Sequence, residues 1–446
     1  PFCQISTVLK TYFQTKKYIM LRFEKKIHLP LIALIFIGIW LLSQIVFIGI
    51  YWDAPQYSDA SNFQKWALDC YQKGCWYPRA EQFQSEPYIC YAGYINFLIA
   101  YLHIFDTFKF VPINLLLNSL QLFALYHISK KICNPAIAHY FVILYCILFS
   151  NISIVVPTTS DLFFTTFLFC SIALIREKHL FLLLSGLLIA YANYIRPFTI
   201  LFLLPIFFYV LYHKFNWKYY ISYFCGIGIM TLLLILFNYR INGTTNIVAT
   251  TSGINLIIGA NDDINGTYTN KVFQKGKIGY IENPSEYNVF QKDSIYMSRS
   301  IGWIKENPGK YILYTPVKMA RLWWADSYSH LFLEDNKTEK SNISHITDII
   351  VHSIGYYIVL ILFCIGIFKL GRQIWGYWGI FLIPVIAGCF MHIITYGGMR
   401  YHYPFMPIII FYAAIGISLL LKDNISIDRF SIPTSISLPK KTHHTM

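Results

Sequence analysis

Charge is scarce in this chain. Charged residues make up 13% of the sequence, and only 22 Asp and Glu stand against 36 Lys and Arg. An ordinary soluble domain carries roughly twice that share of charge, so a water-facing globular protein is excluded. No fixed-period repeat and no inverted pair of halves is visible, which argues against transporter architectures built on such repeats. The ten cysteines include no pair with the company a zinc site needs. Cys146, Cys170, Cys225, Cys364 and Cys389 lie in apolar runs and read as small buried hydrophobes. Cys70, Cys75 and Cys90 fall in or beside a polar segment, where an oxidising compartment leaves a Cys70–Cys75 disulfide open.

What is abundant is apolar surface, at 56% hydrophobic and 18% aromatic residues. Apolar runs lie at about 28–51, 88–105, 110–129, 135–150, 158–175, 180–195, 198–213, 217–238, 347–368, 376–396 and 402–421. Many approach the roughly 20 residues that a bilayer-spanning helix needs, and lipid offers no partner to an open backbone. The expected fold class is an all-α polytopic membrane protein with about 10–11 transmembrane helices. In a soluble protein the net charge of +14 would suggest nucleic acid. Here the cations gather in short turns, as the positive-inside rule requires, and no nucleic-acid partner is expected.

Those turns set an orientation. Lys10, Lys16, Lys17, Arg22, Lys25 and Lys26 precede the first run, which reads as an uncleaved anchor. Residues 1–27 are thus expected in the cytoplasm, with Met20 a candidate start. Lys130-Lys131, Arg176 with Lys178, Lys214 with Lys218, Lys369 with Arg372, and Lys422 mark further cytoplasmic turns. The expected organisation is then a transmembrane module over 28–238 with an external loop at 52–87. A large external loop at 239–346, C-terminal spans at 347–421 and a cytoplasmic tail at 422–446 complete it. One conflict remains: if 88–105 and 110–129 both cross, Lys130 and Lys131 end outside. Either 88–105 is re-entrant or interfacial, or 135–150 fails to cross.

Within 239–346 the residues 285–306 read as an amphipathic helix ending at Asn307-Pro308-Gly309. The following stretch, 310–324, mixes Lys310, Lys318 and Arg321 with Tyr311, Tyr314, Trp323 and Trp324, a mixture suited to the headgroup level of a membrane.

Polar groups converge on the external side. Asp59 opens the first loop in Tyr57-Ser58-Asp59-Ala60, where it could also cap a short helix. Asp161 ends Pro157-Thr158-Thr159-Ser160-Asp161, Arg196 sits in Tyr194-Ile195-Arg196-Pro197, and Arg400 and His402 lie in Gly397-Gly398-Met399-Arg400-Tyr401-His402-Tyr403-Pro404. Ionisable groups at membrane depth are costly and usually face a protein cavity. Two carboxylates and two guanidiniums on one face suit transfer from a lipid-linked phosphate donor. The cations would hold the leaving phosphate and a carboxylate would act as base toward a hydroxyl.

In order and spacing, Ser58-Asp59-Ala60, Tyr91-Ala92-Gly93-Tyr94, Thr159-Ser160-Asp161, Ile195-Arg196-Pro197, Ser252-Gly253-Ile254-Asn255 through Gly259-Ala260-Asn261, and Arg400-Tyr401-His402-Tyr403-Pro404 form a pattern. The chain resembles, over about 28–421, the GT-C superfamily of polyprenyl-phosphate-dependent glycosyltransferases. Within it, the likeness is to family 39-like members related to protein mannosyltransferases and aminoarabinose transferases. The resemblance implies a GT-C-like bundle in a bacterial inner membrane, with its site facing the periplasm. It implies an inverting transfer of one sugar from a polyprenyl-phosphate-linked donor to a glycolipid, polysaccharide or protein acceptor. Asp59 and Asp161 would be the catalytic residues, and Arg196, Asn255, Arg321, Arg400, Tyr401 and His402 would bind substrate. Many relatives carry an Asp-Glu pair where this chain has Asp59-Ala60, so a divalent cation is left open. A surface-polysaccharide polymerase or ligase would use the same lipid-phosphate logic; a transporter is the reading from another class.

Overall fold

A computed structural model describes residues 28–212, 217–245, 249–326, 330–333, 342–376 and 379–421. Among them the secondary structure is helical, with no strand. The expectations for 1–27 and 422–446 lie outside the described residues.

The chain opens with α1 (His28–Tyr51), whose 24 residues rise about 36 Å and so exceed the ~30 Å hydrocarbon core. Next come α2 (Ser58–Gln72), the single turn α3 (Gln82–Ser85) and α4 (Ala92–Phe105). The bundle continues with α5 (Val111–Ile132), α6 (Pro135–Cys146), α7 (Phe149–Ser153), α8 (Ser160–Ala173), α9 (His179–Ile195), α10 (Ile200–Tyr212) and α11 (Trp217–Asn242). In the long polar segment stand α12 (Ser252–Gly259), α13 (Val289–Glu306), α14 (Pro308–Leu313), α15 (Thr315–Trp323) and α16 (His330–Leu333). The chain closes with α17 (Asn342–His352), α18 (Ile354–Leu370), α19 (Ile383–Ile394) and α20 (Met406–Leu420).

Helix starts follow local chemistry. Asn134 caps α6 by accepting from Ile137 N at 3.0 Å, with Pro135 in the first turn, where its missing N–H costs nothing. Asn288 and Gln291 form a reciprocal capping box that begins α13 at Val289, four residues inside the expected 285–306.

Among the described residues five helices are long and apolar enough to cross a membrane: α1, α5, α11, Ile354–Ile374 and Tyr403–Leu420. The shorter apolar helices, α4, α6, α8, α9 and Gly379–Ile394, have 10–17 residues. Burial sorts centre from rim. Nearly all of α8 and α20 is buried, whereas α1, α11 and α18 leave rows of Ile, Leu and Phe exposed, as lipid-facing helices do. Where helices meet closely, small residues allow it. A Cβ on Gly226 of α11 would lie 2.2 Å from Leu183 O of α9, and one on Gly186 would lie 2.1 Å from Tyr223 O.

The contacts at the two ends of α4 bear on the conflict over Lys130-Lys131. α4 starts against the end of α9, where a Cβ on Gly93 would meet the backbone N of Ile195 at 3.0 Å. It ends at Asp106, whose carboxylate accepts from Tyr71 OH at the end of α2 (3.0 Å). Three residues on, Lys109 pairs with Asp53 and donates to Trp52 O (2.8 Å), just past α1. Both ends of α4 therefore lie at the same end of the bundle, with α2 packed beside it. α5 then runs to the other end. There Lys131 Nζ donates to Ile175 O (2.7 Å), joining two of the basic turns.

Candidate functional site

The four ionisable residues singled out in the sequence assemble at the end of the bundle that carries α2 and α4. They form two ion pairs of unequal burial. Asp161, in the first turn of α8, pairs with Arg196, at the end of α9, and their side chains are 0% and 1% exposed. Arg196 Nε also donates to Ser160 Oγ at 2.8 Å, and its guanidinium lies 4.8 Å from the centre of the Tyr91 ring. Asp59, in the first turn of α2, pairs with Arg400 at 2.5 Å, and these side chains are 30% and 9% exposed. Arg400 lies within electrostatic reach of Asp161 as well, so the pairs form one cluster.

Asp59 is held in place by ties between segments distant in sequence. Gln56 Nε2 donates to Val156 O (3.2 Å), Thr158 N donates to Gln56 Oε1 (2.8 Å), and Gln64 Nε2 donates to Thr158 Oγ1 (2.8 Å). These bonds join the start of α2 to the turn that leads into Asp161. Tyr57 N donates to Phe332 O (2.9 Å), which sets the Phe332 ring 5.5 Å from the Arg400 guanidinium. The alternative role of Asp59 as a helix cap is not taken up, since α2 has no side-chain cap. Backbone strain gathers here too. Ser58 (φ 56°) and Tyr91 (φ 50°) both take left-handed conformations that cost a non-glycine residue energy, and they flank the cluster.

Around Arg400 the groups are aromatic. Its guanidinium lies 4.9 Å from the Tyr401 ring centre, Tyr401 OH is 3.0 Å from Tyr396 OH, and Tyr396 OH donates to Asn255 Oδ1 (3.4 Å). Burial works most strongly against the charge on Arg400, but Asp59, Tyr401, Asp161 and Tyr91 together outweigh it, and the guanidinium pKa stays well above its ordinary value. Arg400 Nε is buried with no hydrogen-bond partner among the described residues.

The other expected site residues are placed differently. His402 is a core residue: Nδ1–H donates to Leu322 O (2.8 Å), and the ring stacks on Trp323 and Tyr356. Its Nε2 stands 3.7 Å from Asp326 Oδ1, too far for a hydrogen bond. Arg321 is exposed, with its Cβ 3.1 Å from the point where a Cβ on Gly397 would stand, so it edges the turn that carries Arg400. Cys70 and Cys75 are free thiols, and burial heads the causes that push the Cys70 thiol up to about 12. For the divalent cation, no group of three His, Cys, Asp or Glu side chains among the described residues could hold a metal, and a guanidinium closes each of Asp59 and Asp161.

Sequence reading did not assign three groups beside the cluster to the site, and it set one of them, Lys318, at the headgroup level. Tyr396 bridges Asn255 and Tyr401. Lys318 is fully buried in α15 and donates to the terminal carbonyls of α19, Ile393 O (2.9 Å) and Ile394 O (3.4 Å). Burial lowers its pKa to about 8. His392, near the end of α19, stacks on Tyr401 with ring centres 4.9 Å apart. It was findable, because an ionisable side chain inside an apolar run is itself a signal. The chain matches none of the known protein families and none of the curated proteins compared with it.

Proposed function

We propose that this protein is a membrane glycosyltransferase that uses a polyprenyl-phosphate-linked sugar and moves one sugar, with inversion, onto a hydroxyl of a cell-envelope acceptor. The observation that carries this reading is the Asp59–Arg400 pair. It is a partly exposed carboxylate against a nearly buried cation, at one end of an apolar helical bundle. In this reading the bundle is GT-C-like with ten crossings, α4 staying on the site's face, and that face is the periplasmic side of the inner membrane.

The reaction assigns roles as follows. The donor phosphate takes the guanidinium of Arg400, including its unmatched Nε–H. Asp59, displaced from Arg400, accepts the proton of the acceptor hydroxyl. The hydroxyl oxygen bonds to the anomeric carbon as the carbon–oxygen bond to phosphate breaks. Polyprenyl phosphate leaves with that electron pair, and Arg400 stabilises the added charge. Asp161 and Arg196 are positioning residues beneath this exchange, since neither is open to solvent.

The test works whichever sugar is transferred. A chromosomal Asp59→Asn replacement keeps size and hydrogen bonding while removing the base. It is expected to strip one sugar from an envelope component and to raise its lipid-phosphate donor, both read by mass spectrometry. An unchanged envelope, with the variant present at normal level in the membrane, refutes the reading.

A further inference from the structure

His392 is 5% exposed. Its Nδ1 lies 2.9 Å from Tyr396 O, and because a carbonyl can only accept, Nδ1 carries the proton. In the neutral ring Nε2 therefore presents a lone pair, and this buried nitrogen has no hydrogen-bond partner among the described residues. A buried acceptor left unmatched is costly, so an atom of this kind marks a place where something else donates. The ring is fixed by its stack between Phe198 (6.1 Å) and Tyr401 (4.9 Å) and by the Tyr396 carbonyl, which leaves it little freedom to seek another partner.

Arg400, which also has an unmatched buried nitrogen, rests on the same Tyr401 ring at 4.9 Å. The two unmet groups are of opposite kind: an N–H on Arg400 that donates and a lone pair on His392 that accepts. A ligand that satisfies both presents an anionic oxygen at one end and a hydroxyl at the other. A sugar joined to a phosphate has that form.

We infer that His392 Nε2 is a sugar-recognition atom, accepting a hydrogen bond from a hydroxyl of the donor sugar while Arg400 holds the adjoining phosphate. The inference rests on the transferase reading and extends it to a residue that discriminates a sugar-bearing lipid phosphate from a bare one.

The experiment compares the binding of farnesyl phosphate with that of farnesyl-phosphate-linked glucose, mannose, galactose and arabinose, using the full chain in nanodiscs. His392→Asn keeps a donor toward Tyr396 O and loses the Nε2 position; His392→Gln places an amide near that position. Wild-type protein should bind at least one sugar conjugate more tightly than farnesyl phosphate. His392→Asn should lose that preference by roughly three- to tenfold, the range of one neutral hydrogen bond. His392→Gln should recover part of it, and farnesyl phosphate should bind all three proteins alike. Thermal melting identifies a variant that has merely failed to fold, and His392→Gln then carries the comparison: its sugar preference must fall between wild type and none. A His392→Asn protein that folds and keeps the full preference overturns the His392 assignment alone, as does a wild type that binds farnesyl phosphate through Arg400 but prefers no conjugate. A wild type that binds neither class of compound overturns the assignment and the transferase reading together.

Discussion

Replacing Arg196 with Met should be among the most damaging single changes in the bundle. Arg196→Met deletes the cation opposite Asp161 at a position where both side chains are essentially sealed from solvent. It also removes the bond to Ser160 Oγ and the contact with the Tyr91 ring. A buried carboxylate left without its partner costs about 3–5 kcal/mol, whereas removing both charges in favour of apolar side chains is often close to neutral. The double variant Arg196→Met with Asp161→Leu should therefore recover most of what the single variant loses. Melting in detergent, followed by tryptophan fluorescence, reads all three proteins. Arg400→Met is the comparison: Asp59 is 30% exposed, so water can solvate it when Arg400 is gone and the loss should be well below that of Arg196→Met. If Arg196→Met melts like wild type, or if the double variant is no better than the single, the sealed pair does not hold this end of the bundle together.

Three further outcomes are expected. Gly226→Ala should destabilise by about 1–3 kcal/mol, because its Cβ would stand 2.2 Å from a backbone oxygen. Gly228→Ala, with nothing within 4 Å, should be neutral or better, and melting separates the two. In the folded state burial makes the Lys318 amine a weaker base, so from about pH 8 to its ordinary 10.5 the unfolded chain holds more protons. That difference adds a stability increment that rises with pH across the window, and Lys318→Met should flatten it in melting measured from pH 7.5 to 10. Single cysteines at Ser61, Thr107 and Ser285, in a cysteine-free background, should react with an impermeant reagent from one side of the membrane and a cysteine at Lys130 from the other. Labelling of Ser61 together with Lys130 from one side, with Thr107 labelled from the other, would mean that α4 crosses.

Most helices could be read from the sequence because hydrophobic runs on the bilayer's length scale leave the backbone no alternative. The fate of α4 could not. Its 14 residues are as apolar as those of α6, and what keeps both its ends on one face are Asp106–Tyr71 and Lys109–Asp53, contacts between side chains in different segments. The candidate site divides in the same way. That Asp59, Asp161, Arg196 and Arg400 share a face followed from the distribution of basic turns. Which carboxylate meets which guanidinium, and which pair is sealed, depends on the packing of α2, α8, α9 and the turn before α20. His402 shows the opposite limit. A histidine beside Arg400 in sequence looks like part of the same site, yet its ring faces Trp323 and Tyr356.

If the proposed transfer holds, the unequal burial of the two pairs decides which of them takes part in it. A donor phosphodiester carries one negative charge, so exchanging it for Asp59 at Arg400 swaps one anion for another and leaves the local balance unchanged. Asp59, already 30% exposed, moves toward water at small cost. The same exchange at Arg196 would strand Asp161 at 0% exposure, at a cost of several kcal/mol that one phosphate contact could not offset. In the proposed transferase only Asp59–Arg400 would open and close with turnover. Donor binding should then precede acceptor activation. In Arg400→Gln the donor should bind more weakly by roughly tenfold or more, the scale of one hydrogen bond to a charged group. In Asp59→Asn donor binding should survive while transfer falls by about 10²-fold or more. Measured on purified protein, the reverse pattern, with donor binding lost in Asp59→Asn and kept in Arg400→Gln, would overturn the exchange.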